Sequence, residues 1–195
     1  LQWEALAAIL QTEIGSGEKE MASYAGQRYS TVAIWLHWLI AFLVIANIVI
    51  GIASEPLGKA ISGVMGIHKS IGLTVLALSV LALLWRLTHT RPPLPGTMSS
   101  GMKAAASLMH GVLYVLMILL PLSGWLMSSA GPRPLNWFNL IDIPKFAVQR
   151  GDAIVSAASF HGALGLIFGA LAVGHIGAAL WHHFVRRDLL ITRMA

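Results

Sequence analysis

The chain has 195 residues, 56% of them hydrophobic and only 11% charged, with a mean hydropathy of +0.73 and a formal net charge of +5. Soluble globular domains carry about 25% charged residues, so the composition excludes that class and points to a lipid bilayer, with no nucleic-acid partner expected. Cysteine is absent, which removes disulfides, thiolate-held iron–sulfur clusters and covalent Cys-x-x-Cys-His haem attachment, and leaves His or Met to hold any cofactor.

Residues 1–28 read as an extension to which no role is assigned. Leu1 to Leu10 is apolar but runs into Gln11-Thr12-Glu13, and Gly15 to Glu20 is a polar breaker. The segment is too short to cross a membrane and lacks the basic leader and small-residue cleavage site of a signal peptide. Met21, ahead of Ala22-Ser23-Tyr24, suggests a fragment boundary or an overlong reading frame. A second unit, residues 29–195, holds four apolar runs, Val32 to Ala53, Val64 to Leu87, Ala104 to Met127 and Ala153 to Val185. Each reaches the roughly 20 residues of a spanning helix. They are continuous rather than alternating, which excludes a β-barrel. The expected fold is an all-α, integral membrane four-helix bundle.

With both termini cytoplasmic, the inner flanks hold Lys19, Arg28, Arg86, Arg91, Lys103, Arg186, Arg187 and Arg193, against Lys59, Lys69, Arg133, Lys145 and Arg150 outside. The positive-inside rule favours that orientation. Trp35, Trp38, Trp85 and Trp181 then form an inner aromatic belt.

Histidines sort by depth in this frame. His161 and His175 stand fourteen residues apart on the fourth span, on one helical face and roughly 21 Å apart in height. His68, early in span two, falls level with His161, and His37, early in span one, with His175. Ionisable groups at membrane depth are costly, and each needs a partner. Facing imidazoles on different helices suit a planar macrocycle with an octahedral metal, and haem is the common membrane cofactor of this kind. Zinc prefers four compact ligands, and the spans supply no thiolates or carboxylates to complete them. Gly66, Gly72, Gly162, Gly165, Gly174 and Gly177 crowd these positions, where a missing Cβ makes room for a flat ring or a neighbouring helix.

Leu36-His37-Trp38-Leu39 after Tyr29-Ser30, Gly66-Ile67-His68-Lys69-Ser70-Ile71-Gly72, and His175 with Ala178-Ala179-Leu180-Trp181-His182-His183 together resemble the bacterial cytochrome b561 family. His110-Gly111-Val112-Leu113-Tyr114 and Leu120-Pro121-Leu122-Ser123-Gly124 are similar to its third span, and the resemblance runs from Tyr29 to Arg193. It implies two noncovalent b-type haems with bis-histidine ligation, one near each face, exchanging electrons with ubiquinone or another quinone. His37 with His175 would hold the inner haem, and His68 with His161 the outer one. Some family members carry a further histidine where this chain has Ser107.

His110, His182 and His183 are expected at the inner water boundary near Trp181 and Arg86. His110 and His182 are candidates for binding quinone and supplying its proton, with headgroup contact the simpler alternative. Lys69 or Arg150 outside and Arg86 or Arg186 inside are candidates for haem propionates, as for lipid phosphates. The function expected is one-electron relay across the bacterial inner membrane between an unidentified donor and quinone, with outer cations steering an anionic donor. Two other readings stand beside it: a b-type subunit anchoring a hydrogenase- or dehydrogenase-type redox partner, and a His-lined metal-ion or proton transporter.

Overall fold

A computed structural model of the chain describes residues 28–94, 98–188 and 190–194, together with 3–6, 10–12, 14 and 15. Most of the 1–28 extension lies outside the described residues. Helix α1 (Thr31–Ile52) starts at Ser30, whose hydroxyl accepts from Ala33 N at 3.3 Å. A short α2 (Ser54–Ala60) leads to Gly63, whose left-handed backbone (φ 86°) turns the chain into α3 (Val64–Thr88). Helix α4 (Ser100–Ser129) is capped by Ser99, which accepts from Met102 N at 3.3 Å. Then follow α5 (Ala153–Ala158), α6 (His161–Trp181), a π-helical turn (His182–Arg186) and a 3-10 turn (Ile191–Met194).

Four segments are long and apolar enough to cross a membrane: Thr31–Ile52, Val64–Thr88, Ser100–Ser129 and Ala153–Arg186. The protein is a multi-pass, all-α membrane bundle. Helix α1 packs on α3, α3 on α4 and α4 on α6, and α6 closes back on α1. At mid-height the four helices share one small core, with Val44 from α1, Val75 from α3, Leu116 and Leu120 from α4 and Phe168 from α6. Around it Phe42 (69% exposed), Leu87 (74%) and Val173 (70%) point outward, as a lipid-facing surface requires.

The two ends of the bundle differ. At the terminal end, Tyr29 N donates to Arg193 O (3.1 Å), Trp38 Nε1 to Met194 O (2.6 Å) and the buried Arg193 guanidinium to Pro93 O (2.7 Å). This ties the last turn to α1 and to the α3–α4 connection. At the loop end, Asn136–Trp137 (β1) pairs antiparallel with Ile141–Asp142 (β2). The hairpin folds onto α3, where Trp137 Nε1 donates to Thr74 Oγ1 (3.0 Å) and Phe138 N to Ser70 Oγ (2.8 Å).

Three expectations change. The third span begins at Ser100 rather than Ala104, because Ser99 caps it four residues early. His110 stands about 15 Å from the start of α4. The fourth span breaks at Ser159 and Phe160, between α5 and α6, so His161 is the first residue of a new helix. The connection 130–152 carries a hairpin that apolar periodicity does not reveal.

Candidate functional site

His68 on α3 faces His161 at the start of α6, with ring centroids 6.0 Å apart and planes at 86°. At the terminal end His37 on α1 faces His175 on α6, with centroids 6.4 Å apart and planes at 66°. A metal with a bond of about 2 Å to each of two opposed imidazoles, plus about 1 Å from nitrogen to ring centre, sets the centroids about 6 Å apart. Both pairs have about that spacing, and the structure places His68 beside His161 and His37 beside His175.

The loop-end pair is also held in the correct tautomer. His68 Nδ1 lies 3.2 Å from Asn47 O, which can only accept, so Nδ1 carries the proton and Nε2 presents a lone pair. Ser123 Oγ donates to Leu120 O at 2.7 Å and therefore accepts from His161 Nδ1 at 2.8 Å, which again leaves Nε2 for a ligand. Tethering the far nitrogen is the usual way a protein orients a metal-binding imidazole.

Two glycines make room for these rings. A Cβ on Gly51 would stand 3.0 Å from His68 Cε1, and one on Gly124 would stand 3.2 Å from His161 Cε1. Between the rings lies a cavity of about 450 Å³ with walls including Val44, Ile48, Leu116, Leu120 and Phe168, within the range of small-molecule sites. Of the glycines singled out by sequence, Gly72, Gly162 and Gly165 line this cavity. Gly66, Gly174 and Gly177 have nothing within 4 Å of a Cβ position.

A second cavity, of about 420 Å³, adjoins the first through Lys69 and Ser128 and is lined by Arg133 and Arg150. Among the described residues, none of these three cations is ion-paired or hydrogen-bonded through its side chain. Lys69 and Arg150 thus meet, and Arg133 joins them.

The expected terminal-end group of three histidines separates. His110 joins the half-buried pair of His37 and His175, its ring 5.3 Å from His175, with Nδ1 donating to Ala106 O at 2.7 Å. His182 is paired with the Asp188 carboxylate, and both side chains are nearly buried. Among the described residues, His183 Nδ1 is buried without a hydrogen-bond partner. Arg86 lies over the Tyr114 ring (5.1 Å) and Arg186 over Trp181 (5.5 Å), so both of these propionate candidates are engaged by aromatic rings.

Sequence reasoning did not find Asn47, Gly51 or the role of Ser123. Ser123 and Gly124 lay within the quoted Leu120–Gly124 motif, whose meaning is now visible as an acceptor for His161 beside the space its ring needs. Asn47 acts through its backbone carbonyl and leaves no trace in residue type.

Among the described residues, no group of three or more His, Cys, Asp or Glu side chains is arranged to hold a metal ion alone. A pair of opposed imidazoles is the donor set that a cofactor bringing its own equatorial ligands, such as a porphyrin, would use. Such pairs within a four-helix membrane bundle fit the class of b-type cytochromes. Residues 28–195 match prokaryotic cytochrome b561, and the chain belongs to that family of haem-binding, electron-transferring membrane proteins. It is 31% identical to cytochrome b561 homolog 2 of Escherichia coli (strain K12) over 176 residues, covering 86% of this chain and 91% of the relative. It is 30% identical to the probable superoxide oxidase CybB of Yersinia pestis over 177 residues (86% and 96%). It is also 31% identical to cytochrome b562 of Cereibacter sphaeroides over 173 residues (85% and 94%).

Proposed function

We propose that the chain carries single electrons across the bacterial inner membrane between two noncovalent b-type haems, and delivers them to ubiquinone or another quinone on the cytoplasmic side. The single observation carrying this reading is the matched 6.0 and 6.4 Å spacing of two imidazole pairs near opposite ends of one bundle. His68 and His161 would hold the loop-end haem, and His37 and His175 the terminal-end haem. When bound, haem iron would supply reversible one-electron chemistry.

The remaining residues have separate tasks. Asn47 O and Ser123 Oγ hold protons at the Nδ1 atoms of His68 and His161, keeping each Nε2 unprotonated. Leu116, Leu120 and Phe168 exclude water from the cavity between the rings. Lys69, Arg133 and Arg150 favour an anion beside the loop-end site, either the haem propionates or an approaching donor. The name of the Yersinia relative makes superoxide, a monoanion, the first donor to test. At the terminal end, taken as cytoplasmic from the Lys and Arg bias, His110, its Nδ1 proton held by Ala106 O, presents Nε2 as an acceptor to a hydroxyl of the quinol formed. His182, fixed by Asp188, passes one proton with each of the two electrons that reduce the quinone to quinol.

The test is to purify the protein in detergent, count haem per chain and record reduced-minus-oxidised spectra for the wild type and for His37→Ala, His68→Ala, His161→Ala and His175→Ala. Two haems per chain are expected, with one lost in His68→Ala and His161→Ala and the other lost in His37→Ala and His175→Ala. If His161→Ala or His175→Ala retains both haems with unchanged spectra, the assignment fails.

A further inference from the structure

His161, Phe168 and His175 recur every seven residues along α6. Seven residues are close to two helical turns and drift by only about 20°, so all three project to one face. Phe168 stands about 10 Å from each histidine along the axis. It is 5% exposed and the one buried residue among the described residues of α6, whose other side chains are small, partly exposed or turned to lipid. Its ring packs in the mid-height core with Val44, Val75, Leu116 and Leu120, one or two side chains from each facing helix, and also walls the loop-end cavity. The largest side chain at the centre of the bundle thus lies on the line between the two imidazole pairs.

We propose that Phe168 is the bridge across which an electron passes from the loop-end site to the terminal-end site, an inference that rests on the two-haem reading above. The loop-end site loses one electron and the terminal-end site gains it. The phenyl ring is neither oxidised nor reduced, and no proton moves. Electron tunnelling weakens exponentially with distance and falls faster across empty space than through bonded, close-packed atoms. A phenyl ring places such atoms midway, whereas a smaller side chain leaves an unfilled volume in a core that relaxes only partly.

Wild type, Phe168→Leu, Phe168→Trp and Phe168→Ala, each purified with its haems, are compared in three measurements. These are haem per chain, the potentials of both haems by spectroelectrochemical titration, and the second, inter-site phase of absorbance change after rapid mixing with a one-electron reductant. Phe168→Leu and Phe168→Trp are expected to keep two haems, and because Phe168 also walls the loop-end cavity, the measured potentials are used to compare inter-site rates at equal driving force. The inter-site phase should slow several-fold in Phe168→Leu, more in Phe168→Ala, and return towards wild type in Phe168→Trp. An unchanged phase in loaded Phe168→Leu and Phe168→Ala overturns the bridge, and loss of the loop-end haem from every variant reduces Phe168 to a cavity wall and overturns it equally. A wild type that binds fewer than two haems overturns the two-haem reading instead.

Discussion

His161 Nδ1 lies 2.8 Å from Ser123 Oγ, and that hydroxyl is already committed as a donor to Leu120 O. The direction of both bonds is therefore fixed, and the imidazole presents Nε2 to the cavity. Ser123→Ala removes the acceptor without adding bulk. Loss of such an outer partner costs about 10- to 100-fold in metal affinity. The expected result is weaker retention of the loop-end haem with the terminal-end haem unaffected, measured as haem released to apomyoglobin over time.

Gly51 offers the opposite perturbation, added bulk. A methyl group there falls 3.0 Å from His68 Cε1, closer than carbon atoms approach, while Nδ1 is tethered to Asn47 O. Gly51→Ala should tilt the ring off its axis. The check is haem per chain and the low-spin spectrum, and we expect the loop-end component to be lost or shifted while the other remains. Gly124→Ala, at 3.2 Å from His161 Cε1, should give a milder form of the same result.

The cationic cavity predicts a dependence on reagent charge. Reduced protein should lose electrons to hexacyanoferrate(III), an anion, faster than to hexaammineruthenium(III), a cation. The Arg133→Gln/Arg150→Gln variant should slow the first reaction by about 10-fold and flatten its dependence on ionic strength. Stopped-flow rates between low and high salt read both effects. Equal rates for wild type and variant at low salt would remove electrostatic steering from the function.

Arg193 is 4% exposed and bonded to Pro93 O at 2.7 Å. A hydrogen bond to a buried charged group contributes about 1.5–3 kcal/mol. Arg193→Ala should lower stability by about 2 kcal/mol and loosen the terminal end first. Thermal unfolding in detergent measures the loss, and hydrogen exchange at Trp38 and its neighbours should rise before exchange in the mid-height core.

The four spans were legible because continuous apolar length is a strong and local signal, and it carries helix type with it. The pairing of His37 with His175 and of His68 with His161 was legible for a related reason, since span direction and 1.5 Å per residue fix depth. Lateral relations were not readable in this way. The proximity of His110 to His175 depends on how α4 packs against α6, which the sequence of either helix alone does not show. The Asn47 contact uses main-chain oxygen, which every residue has, and the 130–152 hairpin is built by tertiary bonds to Ser70 and Thr74. Phe168 was not singled out, because a phenylalanine on a continuous apolar run reads the same whether it faces lipid or the bundle core.

Tyr29 and Trp38 are made near the beginning of the bundle, yet their partners Arg193 and Met194 come at its close, the Trp38 bond spanning 156 positions. During biosynthesis the seam between the first and last helices can latch only after α6 and the turn that follows it have been made. The contacts that hold His68 and His161, to Asn47 and Ser123, lie outside that latch, so the terminal seam closes after the parts that frame the loop-end pair exist.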